Sequence, residues 1–289
     1  MVAIERAFAR IREGQVHLRR RQPAHAGQHI PLVLLHSSPV ASGSLVPLMQ
    51  ALGNERLLIA PDTLGNGDSA SPKSPNADLG YFADATVRLL QTLELEQVDL
   101  YGVRTGALIA AEIAVSRPVR VRRLILDEVN LPPEGFMESA LETNSPQIEP
   151  DDMGRHLLWA WNVMRDHSLF YPWFARDREH RLNIDLPSAG AIHDSTVEVL
   201  KALRTFHVSY RAAFRYPRRA RLPLITVPTL ILADPAHLAS KKAPDVTRLI
   251  STAVLRRLPR GANPISARTN AINQYLSGSV RMKSKKGDG

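Results

Sequence analysis

The sequence predicts one α/β domain, with a mostly parallel central sheet, helices on both faces and a helical cap inserted late in the chain. Short and fully apolar runs alternate with stretches of helical periodicity, a pattern typical of parallel strands joined by crossover helices. A long segment then breaks this alternation, because it is rich in aromatic residues, arginine and histidine and contains no buried strand pattern.

The individual elements follow from local patterns. Residues 31–35 are apolar throughout, as expected for a strand that is buried on both faces, whereas residues 16–21 alternate and predict an edge strand. A turn-rich loop at 61–69 separates two further elements. The other strands are predicted at 56–60, 98–101, 122–126, 227–232 and 253–258, and the helices at 45–52, 84–93, 107–114 and 270–276.

The domain boundaries follow from the interruption of the alternating pattern. Residues 1–131 and 223–289 are predicted to form the core domain, and residues 132–222 to form the helical cap. We expect the cap to lie over the carboxyl edge of the sheet, because open α/β sheets bind their ligands at that edge.

Composition narrows the class of protein. The 289 residues include no cysteine, which excludes disulfides, thiolate metal sites and a cysteine nucleophile. The formal net charge is 37 − 28 = +9, but the basic residues are scattered and no nucleic-acid-binding motif is present, so no nucleic-acid partner is expected. Charges interrupt the apolar residues at the N-terminus, and no segment reaches the length of a membrane helix. A cytoplasmic protein without a membrane partner is therefore expected.

Four stretches, in the same order and context, resemble motifs of the α/β-hydrolase superfamily. Residues 34–39 (Leu-Leu-His-Ser-Ser-Pro) resemble its oxyanion loop, and residues 60–69 resemble its P-D-x-x-G-x-G-x-S loop. Residues 100–106 (Leu-Tyr-Gly-Val-Arg-Thr-Gly) lie where the superfamily carries its nucleophile elbow, G-x-S-x-G, between a strand and a helix. Residues 227–232 resemble the strand that leads to the acid turn. The resemblance implies an α/β-hydrolase fold over nearly the whole chain.

The sequence departs from the superfamily pattern at the apex of the elbow. The two flanking glycines are present, but the apex residue is Arg104. A guanidinium is always protonated and has no acceptor, so Arg104 cannot attack a carbonyl, although it can bind an anion. Thr105 follows, and we expect its backbone N–H to donate to an oxyanion. Its hydroxyl is the less favoured alternative as a nucleophile.

The acid and base positions depart as well. The acid turn at 232–237 offers Asp234 or His237, with His237 favoured by register, and Asn263 stands at the position of the base. Some members of the superfamily carry the acid one strand earlier, where Asp127 falls. We expect Asp127 to pair with Arg104, because a buried guanidinium is costly without a carboxylate; the alternative for Asp127 is a helix cap or a surface acid.

The remaining candidate residues belong to the oxyanion loop and the cap. His36 is expected to brace the loop, while Ser37 and Ser38 are assigned to oxyanion and substrate binding, with the Ser38 backbone N–H as a donor. In the cap, three polar or aromatic side chains are predicted to line the roof of the pocket: His156, Trp161 and Arg165.

These assignments lead to two hypotheses of different classes. The favoured one is a divergent enzyme of hydrolase or lyase type that acts, without a serine nucleophile, on a small anionic or carbonyl-containing molecule. In that enzyme Arg104 binds charge and His237 acts as general acid or base. The alternative is a catalytically inactive protein that kept the fold for binding a ligand or partner. No metal or cofactor is predicted, because no paired histidine and carboxylate spacing is present.

Overall fold

The computed structural model describes residues 3–25, 29–117, 120–132, 141, 143–182 and 184–278. Its strands are β1 (Glu5–Ile11), β2 (Gly14–Arg21), β3 (Leu32–Leu35), β4 (Leu58–Pro61), β5 (Gln97–Val103), β6 (Arg120–Asp127), β7 (Thr229–Ala233) and β8 (Ala253–Arg257). They form one sheet in the order β1-β2-β4-β3-β5-β6-β7-β8. β2 is antiparallel to both of its neighbours, and the other pairs are parallel. The predicted fold class is confirmed.

Helices cover both faces of this sheet. They are α1 (Val46–Ala51), α2 (Leu79–Thr92), α3 (Thr105–Ser116), α4 (Arg155–His167), α5 (Ala189–Lys201), α6 (Phe206–Arg215), α7 (Arg218–Arg221), α8 (Ala243–Leu249) and α9 (Pro264–Leu276). One apolar cluster joins α2, α3 and α8 to one face, and a second cluster joins α1 and α9 to the other. Alternate residues of β3 divide between the two clusters, because successive side chains of a strand point to opposite faces.

The apolar strands explain why the sheet is buried. All four residues of β3 and of β4 are buried, so these strands contact helices on both sides. A fully buried leucine stabilises the fold by about 1.5–3 kcal/mol relative to an exposed one, and the central strands contain several. The continuous apolar runs of the sequence therefore reflect packing on both faces.

One sequence prediction about the sheet is wrong. The strand expected at the edge, β2, is the second strand, and β1 forms the edge. In β1 the partly buried positions carry the small residues Ala7 and Ala9, while Phe8 between them is exposed. Because the side chains that face the protein are small and the exposed one is large and apolar, polar and apolar residues do not alternate clearly. The sequence therefore did not predict this strand.

Residues 128–228, called the β6–β7 segment below, connect the two strands after which the segment is named. Their described part contains α4 to α7 and contributes no strand to the sheet. Ala160, Val163 and Met164 of α4 pack with Ile192 and Val199 of α5 in a small apolar cluster separate from those on the sheet. The division of the chain into core and cap domains stays a prediction. In the described residues no helix has the length and hydropathy to cross a membrane.

The close approach of α3 to β3 depends on a glycine. A Cβ built on Gly106 would collide with the backbone oxygens of Leu35 and His36, and backbone atoms at the centre of a sheet cannot move aside. The helix that follows β5 can therefore pack closely against the end of β3 only when this position lacks a side chain.

We expect Gly106→Ala to lower the free energy of unfolding by about 1–3 kcal/mol, the usual cost of overpacking a well-packed site. Chemical denaturation would measure the change. Gly190→Ala in α5 is the matched control, because its added Cβ would meet only Ser188 Oγ at 4.0 Å, and alanine favours a helix by about 0.5–1 kcal/mol over glycine. Equal stability of the two variants would contradict the close approach.

Candidate functional site

The turn between β5 and α3 has the geometry of an elbow. Arg104 stands at its apex with φ 51° and ψ −110°, a conformation that a non-glycine residue adopts only under constraint. Leu108 N donates to Arg104 O at 3.2 Å, so the helix begins directly after the apex. A Cβ on Gly102 would collide with the backbone of Gly106 and Ala107, so this glycine too is required by the turn.

The side chain at the apex pairs with a carboxylate of the neighbouring strand end. Arg104 Nε donates to Glu128 Oε2 at 2.6 Å, and 39% of the arginine side chain remains exposed. Glu128 also has a positive φ, 56°, directly after β6. Ion pairing with Glu128 raises the pKa of Arg104 and outweighs the opposing effect of burial. Two residues in constrained conformations thus hold each other across β5 and β6.

The predicted pairing of Arg104 with Asp127 is wrong. Backbone N–H of Arg104 donates to Asp127 O at 3.0 Å, but the Asp127 carboxylate accepts from Tyr101 Oη and from Arg268 Nε, both at 2.8 Å. Asp127 is the last residue of β6 and is fully buried within the sheet, whereas the change of backbone direction at Glu128 sends the next side chain toward the elbow. Arg104 does pair with a carboxylate at the end of β6, as expected, but the carboxylate is that of Glu128, one residue after Asp127.

Arg268 of α9 connects three carboxylates under the elbow. Its guanidinium lies 2.8 Å from Asp127 Oδ2, 2.9 Å from Glu128 Oε1 and 3.1 Å from Asp234 Oδ2. Burial raises the pKa of Asp127, while the Arg268 charge opposes this rise. Burial would also raise the pKa of Glu128, but the charges of Arg104, of Arg268 and, when it is protonated, of His237 outweigh this effect and lower the pKa to about 2. Glu128 is therefore ionised at neutral pH.

His237 completes the cluster. Its Nε2 lies 3.2 Å from Glu128 Oε1 and 4.0 Å from Asp234 Oδ2, so Glu128 is the nearer carboxylate. Asp234 follows β7 directly, and its Oδ1 accepts from Ala236 N at 2.9 Å within the turn that carries His237. Of the two residues left open by the sequence, Asp234 is bound to Arg268 and His237 lines the cavity described next.

A cavity of about 300 Å³ lies above the elbow. It brings together five of the predicted site residues, namely Ser37, Ser38, Arg104, Thr105 and His237. Asp127 is buried and is not among the residues that line the cavity. The β6–β7 segment supplies much of the remaining wall, including Glu128, Asn130, His167, Tyr171, Tyr210, Phe214 and Arg218. The described part of the chain therefore encloses a site between the sheet edge and this segment.

The oxyanion loop is held by its histidine. His36 is buried, its Nε2 accepts from Thr63 N at 2.8 Å, and its Nδ1 lies 3.0 Å from Ser37 O. Both contacts are satisfied by a neutral imidazole with its proton on Nδ1. The Ser38 hydroxyl is occupied by Ser209 Oγ at 3.0 Å and Asn66 Nδ2 at 3.3 Å. The Ser38 hydroxyl thus fixes the position of the loop beside the cavity.

The three predicted roof residues are not among the residues that line this cavity. His156 Nδ1 accepts from Asp151 N at 3.2 Å, and Arg165 Nε donates to Asp166 Oδ1 at 2.9 Å. Trp161 packs against the apolar cluster of α4 and α5. Polar and aromatic content alone could not distinguish the outer face of α4 from the face toward the cavity. Asn263, at the position of the base, is exposed and caps α9 by accepting from Ser266 N at 3.1 Å.

Sequence reasoning missed several residues that line the cavity, namely Glu128, His167, Tyr171, Tyr210, Arg218 and Lys242. Glu128 could have been found from its position directly after the β6 motif. The others stand on helices and turns of no recognisable motif, so only the folded chain brings them together.

A second cluster of titratable groups lies away from the cavity. It consists of His17, Asp62 and Asp68, each of which has one potential metal-ligand atom within 4.8 Å of those of the other two. Asp62 already accepts from His17 Nδ1 and from Ser42 N, both at 2.8 Å, and Asp68 binds Arg6 and Lys201. These carboxylates are satisfied by protein donors, which fits a brace between loops better than a metal site.

His167 gives the cavity a measurable pH dependence. Burial, aided by repulsion from Arg104, lowers the pKa of His167 from 6.5 to about 4. Between about pH 6.5 and pH 4, His167 is protonated in the unfolded chain but neutral in the folded chain. The free energy of unfolding should therefore fall as the pH drops through this range. Above pH 6.5 this histidine contributes no slope.

We expect His167→Gln to remove that slope, so that the stability of the wild type relative to the variant falls by about 1–3 kcal/mol between pH 7 and pH 4. Urea unfolding at a series of pH values would measure it. His193→Gln is the control, because His193 is exposed on α5 and stays hydrated in both states. Parallel curves for wild type and His167→Gln would contradict the burial of a neutral His167.

Comparison with known proteins places the fold among the α/β hydrolases. The family model described as "alpha/beta hydrolase fold" matches residues 30–155. A 2-hydroxymuconate semialdehyde hydrolase of Pseudomonas sp. (strain CF600) is 32% identical over 200 residues, which cover 67% of this chain and 62% of that protein. An (E)-2-((N-methylformamido)methylene)succinate hydrolase of Acinetobacter baylyi is 30% identical over 171 residues, covering 52% of this chain and 65% of that protein.

The solved structures agree with this comparison over nearly the full chain. The enol-lactonase of Burkholderia xenovorans superposes with a TM-score of 0.71 at 19% identity, covering 94% of this chain and 100% of that one. The aligned regions of the two curated relatives span just under two thirds of their lengths, so the relatives support the fold and family rather than a particular reaction. The chain belongs to the α/β-hydrolase superfamily.

Proposed function

We propose that the protein is an enzyme of hydrolase or lyase type that acts on a small, anionic and carbonyl-containing molecule without a serine nucleophile. The observation that carries this proposal is the row Arg104–Glu128–His237 at the cavity, in which one carboxylate holds a cation and an imidazole side by side. Such a row combines an anion receptor with an acid–base group.

The Glu128 carboxylate orients the imidazole of His237 and the guanidinium of Arg104. His237 Nε2 faces the Glu128 carboxylate at 3.2 Å, which favours the tautomer with the ring proton on Nε2 and, on Nδ1, the lone pair that can take a proton. In the described residues Nδ1 makes no hydrogen bond. His237 is therefore oriented to act as a general base on a water molecule or on a substrate hydroxyl, and afterwards as a general acid.

Arg104 occupies the position from which a nucleophile would attack. Its Nε is bound to Glu128, so its two terminal nitrogens remain for an oxyanion or a carboxylate of the substrate. Thr105 is the first residue of α3, so its N–H has no intrahelical acceptor and can donate to a carbonyl oxygen, together with the N–H of Ser38. Charge developing on that oxygen would be stabilised without a covalent intermediate.

The relatives support the choice of substrate class. The substrates in their names, 2-hydroxymuconate semialdehyde and an N-methylformamido-methylene succinate, are carboxylates that also contain a carbonyl group. Among the residues that the structure describes, the cavity walls contain three cationic side chains, Arg104, Arg218 and Lys242, and one carboxylate, Glu128. A small organic acid fits this balance of charge.

The alternative is a binding protein without catalysis, and one observation favours it. Arg268 holds Asp127, Glu128 and Asp234 in ion pairs, so the carboxylates at the two acid positions are neutralised by the protein itself. Such a cluster can serve as a fixed floor for a ligand pocket. The two functions differ in whether His237 turns over a bound substrate.

We expect the wild-type protein to hydrolyse or cleave members of a panel of esters, lactones and 1,5-diketones that carry a free carboxylate. Substituting His237→Gln should reduce kcat/KM by about 10²–10⁴, the usual contribution of general acid–base catalysis. Steady-state kinetics would measure the loss. His156→Gln, outside the cavity, should leave turnover unchanged. Equal activity in His237→Gln would contradict the assigned base.

Covalent labelling tests independently whether the protein has a hydroxyl nucleophile. A fluorophosphonate probe reacts with an activated hydroxyl, and neither Ser38 nor Thr105 has a hydrogen-bonded base among the described residues, so we expect no labelling. Stoichiometric labelling that boiling abolishes would contradict a mechanism without a hydroxyl nucleophile. Saturable binding of the panel without turnover would instead support the binding protein.

A further inference from the structure

One cation in the cavity wall lacks a carboxylate partner in the described residues. Arg218, at the start of α7, is only 7% exposed and lines the cavity. Its Nη1 donates to two backbone oxygens at long range, Phe214 O at 3.3 Å and Tyr216 O at 3.5 Å. Its Nε is sealed from solvent without any hydrogen-bond partner. The guanidinium is thus buried with less than half of its donors satisfied.

Within α7, the lack of a carboxylate partner among the described residues distinguishes Arg218 from Arg221. Arg221, three residues later, pairs with Glu112 at 2.7 Å, and Tyr216 Oη also donates to Glu112 at 2.9 Å. The carboxylate near this turn is therefore already occupied. A buried cation without a counter-charge costs several kcal/mol, so its retention needs a ligand or another compensation.

The surroundings of Arg218 suit an anion. Burial lowers the pKa of Arg218 to about 10, so the side chain remains protonated at neutral pH. The hydroxyl-bearing side chains of Tyr171 and Tyr210 line the same cavity, and Tyr210 stacks on Phe214 with ring centroids 4.9 Å apart. These groups offer hydrogen-bond donors in the same cavity as the cation.

We propose that Arg218 is the receptor for a substrate carboxylate, which makes the substrate an organic acid with a separate carbonyl group at the elbow. This inference rests on the proposed function and adds a residue and a role to it. Arg218 belongs to the β6–β7 segment and Arg104 to the sheet edge, so an acid bound to both would be oriented between the two walls. The volume of about 300 Å³ is at the small end of ligand pockets, which favours a short acid.

Equilibrium binding of a matched five-carbon series tests the receptor. The probes are glutarate, pentanoate and pentanamide, with inorganic phosphate as a competing oxyanion, and NMR titration of the full chain gives each Kd. We expect glutarate to bind the wild type and pentanamide not to bind. Arg218→Met should weaken glutarate about 10–100-fold, the range for losing a hydrogen-bonded charge.

Arg219→Met is the matched control, because Arg219 is the exposed neighbour of Arg218; its glutarate affinity should equal that of the wild type. Arg218→Lys keeps the charge but loses the planar fork, so its affinity should fall between those of wild type and Arg218→Met. Removing an uncompensated buried cation should also leave the melting temperature of the ligand-free protein unchanged or raise it.

Three results of the binding assay would overturn the receptor: glutarate affinity unchanged in both Arg218 variants, pentanamide binding as tightly as pentanoate, or phosphate binding more tightly than glutarate. A lower melting temperature for both variants with unchanged affinity would assign Arg218 a structural role. Because binding is measured without turnover, the two proposals fail separately. If the wild type turns over substrate and Arg218→Met has the same kcat/KM, the receptor is refuted and the enzyme is not. If the wild type shows no turnover but Arg218→Met weakens glutarate binding, the enzyme is refuted and the receptor is not.

Discussion

The ion pair between Arg104 and Glu128 is the interaction on which the site depends. Both residues have positive φ angles, and each such conformation costs about 1–3 kcal/mol in a non-glycine residue. They follow adjacent parallel strands, and the 2.6 Å contact joins the two constrained turns. The pair thus fixes the apex side chain of the elbow and the direction in which the chain leaves β6 toward the β6–β7 segment.

The pair is part of a larger cluster of charged groups. Glu128 accepts from Arg104 on one oxygen and from Arg268 on the other, and His237 Nε2 lies 3.2 Å from that second oxygen. These contacts keep Glu128 ionised despite its burial. Removing one member of a buried ion cluster costs about 3–5 kcal/mol, because the remaining charges lose their partners. The cluster should therefore behave as a unit, and substitutions within it should not be additive in stability or activity.

The same physics explains the contrast between two arginines of the cavity. Arg104 is more than a third exposed yet tightly paired, whereas Arg218 is buried and lacks a carboxylate in the described structure. A paired cation can be stable without a ligand, while an unpaired one stores free energy that a bound anion releases. The first is suited to hold the geometry of the elbow and the second to select the charge of the ligand.

The fold could be predicted from the sequence because burial on both faces of a parallel sheet leaves continuous apolar runs, as at β3 and β5. The elbow followed from two glycines whose added Cβ atoms would collide with backbone. The partner of Arg104 was misassigned, because a positive φ at Glu128 changes which of two adjacent acids faces the elbow. His167 and Arg218 could not be predicted, since only the packing of the β6–β7 segment brings them to the cavity.

A double-mutant cycle between Arg104 and Glu128 tests the central claim most directly. The free energies of unfolding of wild type, Arg104→Met, Glu128→Gln and the double variant would be measured at neutral pH and low salt. The structure predicts a coupling energy of about 1–3 kcal/mol, as for contacting residues within one ion-pair network. Additivity within about 0.3–0.5 kcal/mol, the value for independent sites, would contradict the claim that this pair holds the site together.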